Sequence, residues 1–553
     1  MVWRKAALLT LCLLLVPRLL RAADSPSINV LLITIDSFRP DHVSAYGYSR
    51  PTTPTLDRLA RRGARFTQVI NQASWTSAAL VSVLTSLYPS THGVDGRSKT
   101  IGPGVITPLR RLREAGYQVP GLSYLTALPE FEHLGFEPVP SQEREVERWL
   151  DLHGDRPFFI WTHLEGPHLP YNPPPPYDRM FTLTGSPLPL AVRERLTPFL
   201  RDPMAPKGDL SLSRSDQRAL VSLYDGKIRK TDQEVRELVE SLNRRGLLEH
   251  TIVVVSADHG EELFDHGWIG HASTSLSGTL YDEVIRVPLI MAGPGIPRGR
   301  VVSAQVEGVD LMPTLLDLLR IAPPPLVQGR SFLPLLRGQP WASSRTAFAE
   351  TTVCGRSCPE GRAQDRLQAL RRPPWKLIRR LRTTGEEQYE LFHLASDPRE
   401  QRNVLIRHPE VASRLKAELN QWVAKRYLQG EELRSLSELA LHENRRGSAE
   451  VPRALRPQDG WMLTFNREAG RIVLQWEGTS DDAFLLEYDL GIGKFHTSGS
   501  FLVQGTQKEF GPLKPEVWDL LARYNPFRFR LRSASCREAS CWSPWVTFQV
   551  AGS

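Results

Sequence analysis

Asn29-Val-Leu-Leu-Ile-Thr-Ile35 is a near-continuous apolar run that stops abruptly at Asp36. Two more runs end the same way, Pro157 to Thr162 at His163 and Thr251 to Ala257 at Asp258-His259, whereas Val287 to Met291 ends at Ala292-Gly293-Pro294. Short runs rich in Val and Ile, without polar alternation, predict strands buried on both faces of a parallel sheet. In open α/β sheets ligands collect beyond the carboxyl ends of the strands. Three of the four runs deliver a metal- or anion-seeking side chain to that edge, so the expected site lies there.

Outward from these runs, strand-like and amphipathic helical stretches alternate from Asn29 to about Val423, the pattern of an α/β domain. Helices are expected over Thr55 to Gly63 and Ala219 to Arg245, and Pro173 to Pro176 and Pro323 to Pro325 mark loops or joints. No internal repeat is visible. The character changes after Lys425: residues 429–456 are polar and irregular, which suits a linker with some helix. Beyond Trp461 the period becomes two residues, as in Phe527-Arg528-Phe529-Arg530-Leu531-Arg532, Ile472 to Trp476 and Phe484 to Tyr488. Such alternation predicts half-buried antiparallel strands. The expected organisation is therefore a main domain over 27–428 with a small α+β part from about 340, a linker over 429–456, and a β-sandwich over 457–553. The last part resembles a fibronectin type III module.

A chain of 553 residues is too long for one ordinary core, and its 41% hydrophobic and 24% charged content is that of a globular protein. The formal charge of +8 falls to +4 once Arg4, Lys5, Arg18 and Arg21 are set aside. That balance is too weak to predict a nucleic-acid partner. Residues 1–23 read as an export signal, with Arg4-Lys5 before the apolar stretch Ala6 to Val16 and Arg21-Ala22-Ala23 at its end. A periplasmic or extracellular destination follows, with membrane attachment only if this segment stays uncleaved. Of the five cysteines, Cys354 with Cys358 and Cys536 with Cys541 form two local pairs, expected to close as disulfides in an oxidising compartment, with a four-cysteine zinc site as the alternative.

The run through Asp36-Ser-Phe-Arg39-Pro-Asp41-His42 to Tyr46-Gly47-Tyr48 resembles the opening of the sulfatase family, within the alkaline phosphatase superfamily. The likeness continues in order through Pro51 to Phe66, Ser256-Ala-Asp258-His259-Gly260-Glu261-Glu262 and Leu280-Tyr-Asp-Glu-Val-Ile-Arg286-Val-Pro288. It ends with Asp310 to Asp317, Gln328-Gly-Arg330-Ser, and Trp375-Lys-Leu with Glu390 to Pro398, covering roughly 28–425. This resemblance implies an α/β fold with a mostly parallel sheet sandwiched by helices, and an ester hydrolase with a bound divalent metal.

The family's nucleophile lies in a Cys-x-Pro-x-Arg signature whose Cys becomes formylglycine. Counting back from Tyr88-Pro89 puts Thr76 at that position, Ala78 at the Pro and Leu80 at the Arg, so formylglycine cannot form here. Related superfamily members use an unmodified Thr, activated by a metal. A helix over Ser77 to Leu87 would aim its positive end at an anion. Otherwise Thr76 simply caps that helix in an inactive protein. The resemblance places the metal on Asp36, Thr76, Asp258 and His259. With Ser37 and His259 where the family has more oxygen donors, Mn or Zn is expected ahead of Ca, and a second metal remains open.

The stretch Thr162-His163-Leu-Glu-Gly-Pro167-His168-Leu-Pro170 resembles a family loop that supplies a histidine to the substrate's anionic group. That assigns His168 to a non-bridging oxygen or the leaving group and His163 to a structural role. His271 falls near the family's basic substrate-binding residue, and Arg39 is the candidate to replace the missing Arg or, alternatively, a salt-bridge partner of Asp41. The expected substrate is an anionic ester of sulfate or of a phosphate or phosphonate, with a glycan or lipid head group as its organic part. Two other readings stay open: a phosphoryl-group transferase of the same superfamily, and an inert sulfatase-like binding or adhesion protein.

Overall fold

The structure is a computed structural model that describes residues 28–96, 99–102, 105–201, 212–273, 278–341, 345–358, 364–442, 454–456, 461–463, 472–476, 483–490, 497–510, 527–533 and 542–550. The expected export signal and the Cys536 and Cys541 pair lie outside the described residues. No helix among the described residues is long and apolar enough to cross a membrane.

The main sheet takes β1 (Asn29–Ile35), β2 (Ala64–Ile70), β3 (Phe159–Leu164), β4 (Thr251–Ala257), β5 (Arg286–Ala292) and β6 (Arg300–Val302) in the order β3-β1-β4-β5-β2-β6, with β7 (Val306–Glu307) also paired to β2. Every residue of β1 and of β4 is buried, which is why these segments carry no polar alternation. The three runs that end on Asp36, His163 and Asp258 are neighbours and parallel: β1 pairs with β3 on one side and β4 on the other. The fourth run, β5, is antiparallel to both β4 and β2. It therefore enters the sheet at the edge where the others leave it. An apolar run has no direction readable in its composition, so the sequence reading had grouped it with its parallel neighbours.

Helix α1 (Pro54–Arg62) starts with Pro54 in its first turn and buries Thr55, Leu56 and Leu59. Its free amides are taken by Asp232, whose carboxylate accepts from Thr55 N at 3.0 Å and Leu56 N at 3.0 Å. Asp232 lies on α3 (Arg214–Arg244), while α2 (Thr76–Thr85) is buried along nearly its whole length, Leu80 included. Trp161 of β3 stacks with Phe131 and Phe136 at ring distances of 5.5 and 5.3 Å.

A second, four-stranded antiparallel sheet follows, formed by 347–352, 366–372, 375–381 and 387–393. The Cys354–Cys358 disulfide closes beside its first strand. A 34-residue helix over Pro409–His442 runs across the position where the sequence reading began a linker. Beyond it the described strands form a three-stranded sheet (454–456, 472–476, 507–510) and a five-stranded one in the order 461–463, 546–550, 527–533, 483–490, 497–504. All their pairings are antiparallel except that of 461–463 with 546–550.

Candidate active site

Register assembles the site. Ile35 of β1 pairs with Ala257 of β4, so Asp36 and Asp258 leave adjacent parallel strands side by side. On the opposite side of β1, Thr34 pairs with His163. One ligand atom from each of Asp36, His163 and Asp258 can be chosen so that all lie within 4.8 Å of one another, and all three side chains are buried.

The turns after the strands hold these groups in place. Ser37, in the left-handed region at φ 57°, donates its hydroxyl to Asp36 Oδ1 at 2.9 Å and its amide to Asp258 Oδ1 at 3.2 Å. His259 N donates to the same Asp258 oxygen at 2.7 Å. Asn71 clamps the end of β4, its amide donating to the carbonyls of Ala257 at 2.9 Å and Asp258 at 2.6 Å. Gly260 follows, and a Cβ there would sit 2.0 Å from Glu283 O, so no larger residue fits that approach.

His259 is fully buried, with Nδ1 2.8 Å from the carbonyl of Gly260. A carbonyl only accepts, so Nδ1 carries the proton and the Nε2 lone pair faces the site. That Nε2 lies 3.4 Å from Asp258 Oδ2, 3.7 Å from Asp36 Oδ1 and 3.4 Å from Thr76 Oγ1. Thr76 is the first residue of α2, whose cap is Trp75 without any side-chain capping bond. The capping role for Thr76 is therefore excluded, and its hydroxyl faces His259 instead.

Three imidazoles line one wall: the His259 and His271 rings are 4.2 Å apart and those of His271 and His168 are 4.9 Å apart. Glu261 orients His271 through Nδ1 at 2.7 Å. Lys227 of α3 donates to the carbonyls of His168 at 2.8 Å and Pro170 at 3.3 Å, tying the His168 loop to the helix. Burial works against a charge on His168, yet the Asp36 and Glu261 carboxylates raise its pKa above the ordinary histidine value. Burial alone would raise the Asp36 pKa, but the charge of His168 beside it is the largest influence holding the carboxyl below the usual range. Burial and the Asp36 charge push Asp258 up to about 8.

Of the two roles expected for Arg39, the structure shows the ion pair with Asp41. Its Nε and NH2 donate to Asp41 at 3.0 and 2.8 Å, and its NH1 donates to Glu261 O at 3.0 Å and Asp265 at 2.5 Å. A longer NH2 contact to Asp265 at 3.5 Å occupies the fifth donor. With all five N–H groups engaged, Arg39 braces the Asp36 and Glu261 turns and replaces no lost active-site arginine. Tyr124, which the sequence reading passed over, stands 59% exposed with its ring 6.4 Å from that of His163. No motif announces it; a loop far from β1 in sequence brings it to the mouth of the site.

The donor set fits a divalent ion on two grounds. Asp258 Oδ2 and His163 Nε2 are buried without a hydrogen-bond partner, which is costly unless a ligand takes them. The separations of 3.4–3.7 Å among His259, Asp258, Asp36 and Thr76 donors match the edge of a coordination shell with bonds of about 2.1 Å. Asp36, Asp258, His259 and Thr76 are thus brought together, whereas His168 and His271 stand beside them.

The sequence model described as Sulfatase matches residues 28–137 and 140–321, and that described as N-sulphoglucosamine sulphohydrolase, C-terminal, matches 270–425. Among curated relatives, the multifunctional alkaline phosphatase superfamily protein PehA of Trinickia caryophylli is 24% identical over 405 residues, covering 56% of this chain and 78% of PehA. The N-acetylglucosamine-6-O-sulfatase of Bacteroides thetaiotaomicron is 23% identical over 474 residues, covering 68% of this chain and 82% of its own. Among solved structures, the phosphonate monoester hydrolase of Agrobacterium radiobacter superposes with a TM-score of 0.59 at 23% identity, covering 72% of this chain and 96% of that one.

Proposed function

Because this chain belongs to the sulfatase family, we propose that it is a metal-dependent ester hydrolase that uses unmodified Thr76 as its nucleophile and acts on phosphate- or phosphonate-type esters ahead of sulfate esters. The observation that carries this reading is the Thr76 hydroxyl, free of any capping bond, 3.4 Å from His259 Nε2 at the Asp36–Asp258 cluster. Relatives named as a phosphonate monoester hydrolase and as a sulfatase support both ester classes.

A divalent ion held by Asp36, Asp258, His259 and Thr76 would supply Lewis acidity, lowering the pKa of the Thr76 hydroxyl and offsetting charge on the substrate's oxygens. With its proton released to solvent, Thr76 Oγ attacks phosphorus in line. Its bond to phosphorus forms as the bond to the leaving oxygen breaks, and His168, whose pKa the Asp36 and Glu261 carboxylates raise, gives its proton to that oxygen. In its doubly protonated form His271, held through Nδ1 by Glu261, would donate Nε2–H to the non-bridging oxygens. Water, giving a proton back to His168, next attacks phosphorus as the Thr76 Oγ–P bond breaks. A sulfated threonine lacks the elimination route open to a sulfated formylglycine hydrate, which is the chemical reason for ranking phosphorus first.

Export through the leader at residues 1–23, a glycan or lipid head group as the organic part of the substrate, and a spacer role for the C-terminal β-sandwich belong to the same proposal. The decisive assay compares nitrophenyl sulfate, phosphate monoester, phosphodiester and phosphonate substrates with Mn²⁺, Zn²⁺ or Ca²⁺ added. Turnover lost in Thr76→Ala and greatest on a phosphorus ester is expected. Equal turnover by Thr76→Ala, or none on any ester, overturns the reading.

A further inference from the structure

We propose that His163 is a metal ligand through Nε2, giving this site a second imidazole and making it select a transition metal over calcium. The inference rests on the reading of the cluster as a metal site.

The tautomer of His163 follows from its neighbours. The β1–β3 register sets Thr34 opposite His163, and Thr34 Oγ1 lies 2.9 Å from Nδ1. The same oxygen receives the Trp161 indole N–H at 3.0 Å and points its own proton toward Thr162 O at 3.4 Å. A hydroxyl has one proton and two lone pairs. With Trp161 on one lone pair, we place the Thr34 proton on Thr162 O, so that the remaining lone pair accepts Nδ1–H from His163. Nε2 is left with its lone pair exposed to the site.

That lone pair has no hydrogen-bond partner and faces Asp36 Oδ2 at 3.5 Å, the carboxylate oxygen that Ser37 leaves free. Two buried acceptors facing each other at this distance repel unless a cation lies between them. The contact of His259 Nε2 with Asp258 Oδ2 at 3.4 Å has the same character. Both imidazoles therefore share one arrangement: Nδ1–H held by a protein oxygen and Nε2 turned to a carboxylate. A fixed ring with its distal nitrogen hydrogen-bonded is the usual preparation of a metal-ligating histidine. The Asp36, His163 and Asp258 atoms that lie within 4.8 Å of one another, with His259 Nε2 beside the same two carboxylates, make a nitrogen-rich donor set suited to Zn²⁺, Mn²⁺ or Co²⁺, whereas Ca²⁺ takes oxygen almost exclusively.

The first measurement is X-ray absorption on the zinc-loaded wild-type protein, where imidazole scattering counts the histidines bound. Two are expected, and a count of one overturns the proposal. The second is zinc and calcium affinity for the wild type and His163→Asn. Zinc affinity should fall at least about tenfold while calcium affinity stays within about twofold, and an unchanged zinc-to-calcium ratio overturns the proposal. Thr34→Val, which frees the ring, should weaken zinc by about tenfold and Thr34→Ser should restore it. None of these readouts uses turnover. Two bound imidazoles in a protein that cleaves no ester would sink the proposed activity and leave this ligand assignment standing; one imidazole in an active hydrolase would do the reverse.

Discussion

The hydroxyl of Thr76 and Nε2 of His259 face each other at 3.4 Å, joining the first residue of a helix to the turn after a central strand. Thr76 contributes no capping bond to its helix, so its removal costs the fold little, within about 0.5 kcal/mol. The catalytic cost should be large. Thr76→Val is expected to lower kcat/KM on the preferred ester by at least about 10³-fold with a nearly unchanged Tm, whereas Thr76→Ser, which keeps the oxygen, should retain measurable turnover. A Val variant within tenfold of the wild type would remove Thr76 from the reaction.

Arg39 gives the opposite pattern. It is 3% exposed and its donors are divided among Asp41, Asp265 and the Glu261 carbonyl. Arg39→Gln leaves those two carboxylates facing each other, and because both are partly exposed the loss should be about 2–3 kcal/mol, less than a fully buried pair would lose. Thermal unfolding should register it. Activity of the protein that remains folded should stay within a few-fold of normal, and a normal Tm with turnover lost by a hundredfold would restore Arg39 to the chemistry.

Much of this site was legible because burial on both faces leaves strands almost purely apolar, so a polar break such as Asp36 or Asp258 stands out against Val30–Ile35 or Ile252–Ala257. The ends of the runs name the candidates, and the family likeness orders them. What stayed hidden depends on register and direction, which composition does not carry. The alignment of Ile35 with Ala257 and of Thr34 with His163 follows from pairing, so His163 read as structural. The antiparallel entry of Arg286–Ala292 was hidden for the same reason. Arg39 looked available because its partner Asp265 lies 226 residues away in sequence. Tyr124 reaches the site from a loop whose path no local pattern specifies.

Lys376, fully buried between Asp282 and Glu400 at 2.8 Å each, pins the four-stranded sheet to the main domain. Burial pushes Glu400 up to about 7, with Lys376 opposing and the Asp282 charge adding to the rise. A carboxyl whose folded pKa lies above its unfolded value stabilises fully below the unfolded pKa, and that contribution is lost as pH rises through the folded one. Between about pH 4 and 7 the Glu400 contribution should therefore decline. Glu400→Gln should flatten this part of the stability profile in denaturant titrations. An unchanged slope in the variant would show that Glu400 is ionised throughout. Asp282 acts in another window: Arg371 and Lys376 outweigh burial and hold it low, so its contribution is present above the usual carboxyl pKa and fades only in stronger acid.

The last prediction concerns the metal-free protein. Asp36 and Asp258 are both buried and emerge from paired strands, so above about pH 8, where Asp258 ionises without a cation, their like charges oppose folding of the strand ends that carry them. Removing the ion with a chelator should lower the Tm and abolish turnover together, and added Zn²⁺ or Mn²⁺ should restore both. Asp258→Asn separates the two effects. It relieves the repulsion while keeping acceptance from Ser37 N and His259 N at the carbonyl oxygen, so above about pH 8 the metal-free variant should melt above the metal-free wild type. The same variant should gain little from added metal and show no turnover. A metal-free Asp258→Asn protein that still melts below the metal-free wild type above about pH 8 would mean that the carboxyl group is protonated even there and serves as a hydrogen-bond donor, not as one half of a repelling pair.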